Sequence, residues 1–116
     1  MLSTQKKIET LQALKLKPKF ESNEFYTGVS DNINKQSLIE TLHSVIDTFI
    51  ELIEEKKDND KEYQQLIKTG LTKFDILGLD TEDREKVCGY FEEIMDAVNL
   101  ESSGGAINEW LYGFKF

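Results

Sequence analysis

An all-α fold is what this sequence predicts, and three observations carry that reading. Apolar residues recur every three or four positions in several separate stretches, residues suited to capping helices stand at their borders, and the whole chain holds a single proline. The expected arrangement is an antiparallel four-helix bundle-like domain, residues 1–116 in one unit, with an aromatic C-terminal turn packed across one end. Size and composition agree with it. A chain of 116 residues, 39% hydrophobic and 31% charged, can bury roughly two thirds of its unfolded surface and fold alone.

The first helix is expected from about Thr4 to Leu16. Ile8, Leu11 and Leu14 supply its apolar side, and it should stop before Pro18 because the residue preceding a proline avoids helical geometry. Next comes "KPKFESNEFYTGVSDNIN", which mixes turn formers with Phe20, Phe25, Tyr26 and Val29. A structureless loop of this length is uncommon in a compact domain, so its aromatics are expected to dock on the helices.

The strongest element is residues 35 to 57, where Leu38, Leu42, Val45, Ile46, Phe49, Leu52 and Ile53 gather on one face at about 100° per residue. Ser37 and Glu40 have capping-box spacing, and Asn34 is an alternative cap one turn earlier. After the polar break "KKDND", Asp60 is expected to cap a third helix with a stripe of Tyr63, Leu66, Ile67, Gly70, Phe74 and Leu77, and Gly78 to end it. Gly70 lies inside the apolar stripe. There it costs about 1 kcal/mol of helix propensity relative to Ala, which points to a packing notch for a neighbouring element.

Asp80 or Thr81 then caps a fourth helix, "EDREKVCGYFEEIMDAVNL", whose buried face is expected to hold Val87, Phe91, Ile94, Met95 and Val98. In the tail, Ser102 or Ser103 before Gly104 and Gly105 predicts a tight turn with a cap. Ile107, Trp110 and Leu111 follow at helical spacing, ending at Gly113. Trp110, Tyr112 and Phe114 are expected to plug an open end of the core, at about 150–250 Å² per ring, so that Trp110→Ala would cost about 3–5 kcal/mol.

Charge narrows the function. The 22 acidic and 14 basic residues leave a formal net charge of -8, a field that repels phosphate backbones and argues against nucleic acid as a partner. The same field would favour a basic protein. No run reaches the roughly 18 apolar residues of a membrane span. Cys88 is the only cysteine and cannot form an internal disulfide, and "MLSTQKKIET" lacks the apolar core of a secretory signal; a cytoplasmic setting is expected.

No chemical motif in the sequence is complete. Glu40 and His43 form a Glu-x-x-His as in carboxylate-bridged di-iron bundles, but that site needs the motif on two helices and His43 is the only histidine. Asp58, Asp60 and Glu62 alternate like a calcium loop, yet Tyr63 and Thr69 stand where an EF-hand needs Gly and Glu. Glu92, Glu93 and Asp96 form a further cluster, of the kind usual on solvated helix faces. Cys88 and His43 sit on different helices, and "SSGG" lacks the Lys-Ser/Thr ending of a phosphate loop. No catalytic residue, metal or cofactor is therefore expected.

The stretches "CGYFEEIMDAVNL" and "SGGAINEWLYGF" resemble the C-terminal signature of a small family of uncharacterised bacterial helical proteins. The resemblance covers about the last third of the chain and implies a helical fold with no assigned function. Two function classes then stand. One is a non-catalytic acidic interaction module for a basic partner protein, an immunity-type inhibitor being one version. The other is a small-ligand-binding protein or enzyme with a pocket between residues 20–29 and the C-terminal aromatics. The residues expected to line the surface or the pocket are Phe25, Tyr26, Trp110 and Tyr112.

Overall fold

The computed structural model describes residues 3–17 and 35–112. Those residues form five α-helices and a short 3₁₀ turn, with no strand among them: α1 (Thr4–Leu16), α2 (Lys35–Glu54), α3 (Asp60–Thr72), the 3₁₀ turn (Asp75–Leu77), α4 (Thr81–Ala97) and α5 (Ala106–Tyr112). The expected all-α fold is the one observed. Helix α1 ends at Leu16 with Lys17 in extended backbone, the expected stop before Pro18, whereas the docking of the Phe20–Val29 segment, the Asn34 cap, the Gly113 ending and the placing of Phe114 fall outside the described residues.

Helix α1 starts as its sequence dictates, with the Ser3 hydroxyl accepting the Lys6 N–H at 3.1 Å. Only Leu11 of α1 is fully buried, while Ile8 and Leu14 pack half-buried against the core. Lysines supplement this thin apolar face. Lys15 reaches Asp47 on α2 at 2.7 Å, Lys17 reaches Glu93 on α4 at 2.6 Å, and Lys7 reaches Asp58 at 3.4 Å.

Helix α2 buries Leu38, Leu42, Val45, Ile46, Phe49 and Ile53, the face that its periodicity marks. It begins at Lys35, so Ser37 lies inside the helix and its carbonyl accepts the Thr41 hydroxyl, while Glu40 accepts from Gln36; the Ser37 capping box is not formed. The helix ends at Glu54, earlier than the expected Lys57. Lys56 takes the left-handed conformation at φ 59°, and the N–H groups of Lys56 and Lys57 turn back to the carbonyls of Ile53 and Leu52. That is a Schellman ending with lysine in the place that usually holds glycine.

The cap of α3 is Asn59, not Asp60: Asn59 has extended backbone and its side chain accepts the Glu62 N–H at 3.0 Å, which leaves Asp60 as the first helical residue. The regular helix also ends sooner than its stripe suggests. After Thr72, whose hydroxyl binds the Thr69 carbonyl, the backbone tightens into bonds from Lys73 to Gly70, Phe74 to Leu71 and Leu77 to Phe74. Phe74 is buried all the same, Ile76 is thrown out to solvent, and Gly78 ends the turn at φ 64°.

Asp80 caps α4 by accepting the Asp83 N–H at 2.9 Å, and Val87, Phe91, Ile94, Met95 and Val98 are all buried as their spacing predicts. Asn99 then repeats the left-handed ending at φ 59°, and Leu100 sends its N–H back to Met95 while burying its side chain.

The close helix pairings are α1 with α2 and α4, α3 with α2 and α5, and α4 with α5, which closes a ring. Helix α5 thus sits between α3 and α4. The buried residues form one cluster, with Phe49 stacked on Tyr63 at 5.8 Å and Phe74 edge-on to Phe91 at 6.1 Å. Gly70 is the expected notch: a β-carbon there would stand 3.0 Å from Val45 Cγ1 and 3.1 Å from Phe91 Cε1.

Candidate functional site

Two neighbouring glycines, both at positive φ, turn the chain after Ser103 and lay α5 beside α4. The turn is fixed on several sides. The Ser102 hydroxyl accepts the Gly104 N–H, the Ser103 hydroxyl accepts the Ile107 N–H, and the Gln64 side-chain amide donates to the Ser102 carbonyl at 3.0 Å. Glycine is required at 104, since φ is 70° and a β-carbon would also stand 3.2 Å from Gln64 Oε1.

Between the last two turns of α4 and this returning chain lies an open cleft of about 610 Å³. Met95, Leu100 and Ile107, each nearly buried, contribute its apolar floor. Glu92, Asp96 and Glu101 line it together with Asn99 and Asn108, and among the described residues no lysine, arginine or histidine does. Glu92 and Asp96 are four residues apart and share one face of α4, while Glu101 is brought to them by the reversal at Asn99. Tyr112, 55% exposed, lies four residues beyond Asn108 on that side of α5.

The other side of α5 carries Trp110. Its indole N–H donates to the Asp75 carboxylate at 2.7 Å, the Arg84 guanidinium lies 4.6 Å from its ring centre, and an Arg84 N–H donates to its backbone carbonyl at 3.1 Å. Trp110 is half-buried, and Ile107 is the residue of α5 that enters the core. The expected aromatic plug is corrected in this respect. The indole keeps part of its surface in solvent although Arg84 covers one face, so the full 3–5 kcal/mol of a fully buried ring no longer applies to Trp110→Ala. Trp110 lines a smaller groove of about 270 Å³ along the α3–α5 seam, with Leu71, Thr72 and Lys68, separate from the acidic cleft.

Phe25 and Tyr26 lie outside the described residues, as does the 20–29 side of the pocket expected between that segment and the tail. Of the four residues singled out from sequence, Trp110 and Tyr112 are on opposite sides of α5. Glu101, Asn108, Asp75 and Arg84 were not expected to take part. The Glu92–Asp96 spacing is the one sequence signal near Glu101 and Asn108, and no sequence pattern points to Asp75 or Arg84.

The remaining chemical candidates have ordinary surroundings. Among the described residues no group of three or more His, Cys, Asp and Glu side chains is placed to hold a metal ion. Asp58 accepts the Tyr63 hydroxyl at 2.5 Å and Lys7 at 3.4 Å, so the calcium-like turn spends its first carboxylate inside the fold. Burial pushes the Asp58 carboxyl up, but the bonds from Tyr63, its own backbone and Lys7 outweigh that and hold it below the usual carboxylate value. Burial, and then the neighbouring Glu92 carboxylate, pushes the Cys88 thiol up to about 12. The His43 Nε2 is buried without a hydrogen-bond partner among the described residues, and no described helix is long and apolar enough to cross a membrane.

Over residues 2–115 the sequence matches the model of a domain of unknown function, DUF4844. The chain belongs to that family. The fold has a counterpart in the crystal structure of a DUF3571 family protein from Acinetobacter baumannii AYE. The two are 35% identical, the match covers 95% of this chain and 91% of that one, and the TM-score is 0.87. No curated protein matches the chain. Membership in this DUF4844 family extends the resemblance seen in the last third of the sequence to nearly its whole length, and it assigns no activity.

Proposed function

We propose that the protein is a non-catalytic interaction module that receives a basic segment of a partner protein in the acidic cleft between α4 and α5. The observation that carries this reading is the pairing of an apolar floor with a carboxylate rim that, among the described residues, holds no cation. Lysine and arginine side chains complement both parts, since their stems lie on apolar surface while their heads reach for charge. The net charge of -8 would steer such a partner and repel nucleic acid. Exposed Tyr112 beside the cleft supplies the sort of aromatic anchor on which interface energy concentrates. An immunity-type inhibitor acting on a basic protein in the bacterial cytoplasm is one version of this role.

The test is a titration of ¹⁵N-labelled protein with a short Lys/Arg-rich peptide. Shifts should concentrate at Asp96, Asn99, Glu101 and Asn108, weaken with added salt, and vanish in the Glu92→Gln, Asp96→Asn, Glu101→Gln variant. Shifts spread evenly over the acidic residues of all helices, or none at all, would overturn the reading.

A further inference from the structure

Helix α5 has only seven residues, well short of the roughly 12–15 at which an isolated helix begins to persist in water. Its helicity therefore depends on docking. Ile107 is its one buried residue, Ala106, Trp110 and Leu111 pack half-buried against the core, and the polar hold passes through the Trp110 indole N–H on Asp75 and through Arg84, which grips the Trp110 ring and carbonyl. The chain leading into α5 passes through Gly104 and Gly105 at φ 70° and 87°. Glycine backbones can leave that conformation for many others without steric cost.

From this arrangement we infer that α5 is a latched flap: it undocks as a unit about Gly104–Gly105 while α1 to α4 stay folded, and Asp75 and Arg84 are the latch that holds it closed. The consequence for the surface is direct. Gly105, Ile107 and Asn108 form one wall of the acidic cleft, so undocking removes that wall and uncovers Met95 and Leu100 on its floor. The latch residues lie on the far side of α5, along the α3–α5 seam, out of the cleft itself. The width of the cleft is thereby set from a surface that its occupant does not touch. This holds for the free protein, whatever the cleft binds.

Local opening of this kind is read by hydrogen exchange. In the full chain, Asp75→Ala removes the acceptor at an exposed position, and Trp110→Phe removes the indole donor while keeping a ring under Arg84. Each should quicken exchange of the Glu109, Trp110 and Leu111 amides about 5- to 10-fold, the scale of one net hydrogen bond. The amides of Val45 to Phe49 in α2 should keep their wild-type rates. Unchanged exchange in α5, or equal acceleration in α2 and α5, would overturn the flap, because either result means that α5 opens only when the whole domain does.

Discussion

Gly70 of α3 and Phe91 of α4 meet so closely that a β-carbon on Gly70 would stand 3.1 Å from the phenylalanine ring. Val45 of α2 closes the same notch from the other side at 3.0 Å. Gly70→Ala should therefore act against its own helix propensity. The gain of about 1 kcal/mol from replacing a mid-helix glycine is opposed by overpacking worth about 1–3 kcal/mol, and Val45 is β-branched and rotamer-locked in its helix. The expected result in urea denaturation is a net loss of about 1 kcal/mol. A stabilised variant would mean that Val45 and Phe91 move apart at little cost.

Asp58 joins the α2–α3 turn to α1 through Lys7 and to α3 through Tyr63. Its carboxyl is held below the ordinary carboxylate value, so the charged form is favoured in the folded state. The stability it contributes is fully present above the unfolded value and is lost as pH falls through the folded one. The stability difference between wild type and Asp58→Asn should be constant from neutral pH down to about 5 and shrink as pH falls below the unfolded carboxylate value. Tyr63→Phe should cost about 1–2 kcal/mol at pH 7, since it leaves Asp58 short of a donor.

Cys88 is 4% exposed, and its thiol is pushed up to about 12, first by burial and then by Glu92. A thiol-specific reagent at pH 8 should label the folded protein on the order of a thousandfold more slowly than the unfolded chain, whose cysteine has an ordinary thiolate fraction. Rapid labelling of the folded state would contradict the burial of this side of α4.

Trp110→Ala removes a half-buried ring, the bond to Asp75 and the Arg84 stack together. The expected cost is about 2 kcal/mol, above the roughly 0.5 kcal/mol of a plain surface change and below that of a fully buried tryptophan. Thermal or urea unfolding measures it.

How much of this was legible in the sequence varies element by element, for physical reasons. Gly70 could be read as a notch because a glycine inside an apolar stripe costs helix propensity and needs a reason to be there. Asp80 could be read as a cap because acidic residues follow it in the first turn. Asn59 and Asp60 could not be separated, because both side chains cap well and the choice lies in backbone angles at the turn. The unwinding after Thr72 was hidden for a different reason: Leu71, Phe74 and Leu77 recur every third residue, which suits a 3₁₀ turn and an α-helix alike. The left-handed residue at 56 had no sequence signal, being a lysine. As for the cleft, Glu92 and Asp96 are visible as a pair, but only the chain reversal at Asn99 brings Glu101 to them. The partial burial of Trp110 depends on Asp75 and Arg84, which no periodicity links to it.

The most direct measurement is a quantitative affinity capture from host lysate with three baits, each first checked for native helicity by circular dichroism. They are the wild type, the cleft variant Glu92→Gln, Asp96→Asn, Glu101→Gln, and a control, Glu51→Gln, Glu54→Gln, Glu55→Gln, that loses equal charge from exposed positions at the end of α2. Neutralising acids at a helix C-terminus should not harm stability. The cleft reading predicts a basic protein held by the wild type and the control and lost from the cleft variant. Equal loss from both variants would contradict it, since the attraction would then belong to net charge and not to the cleft.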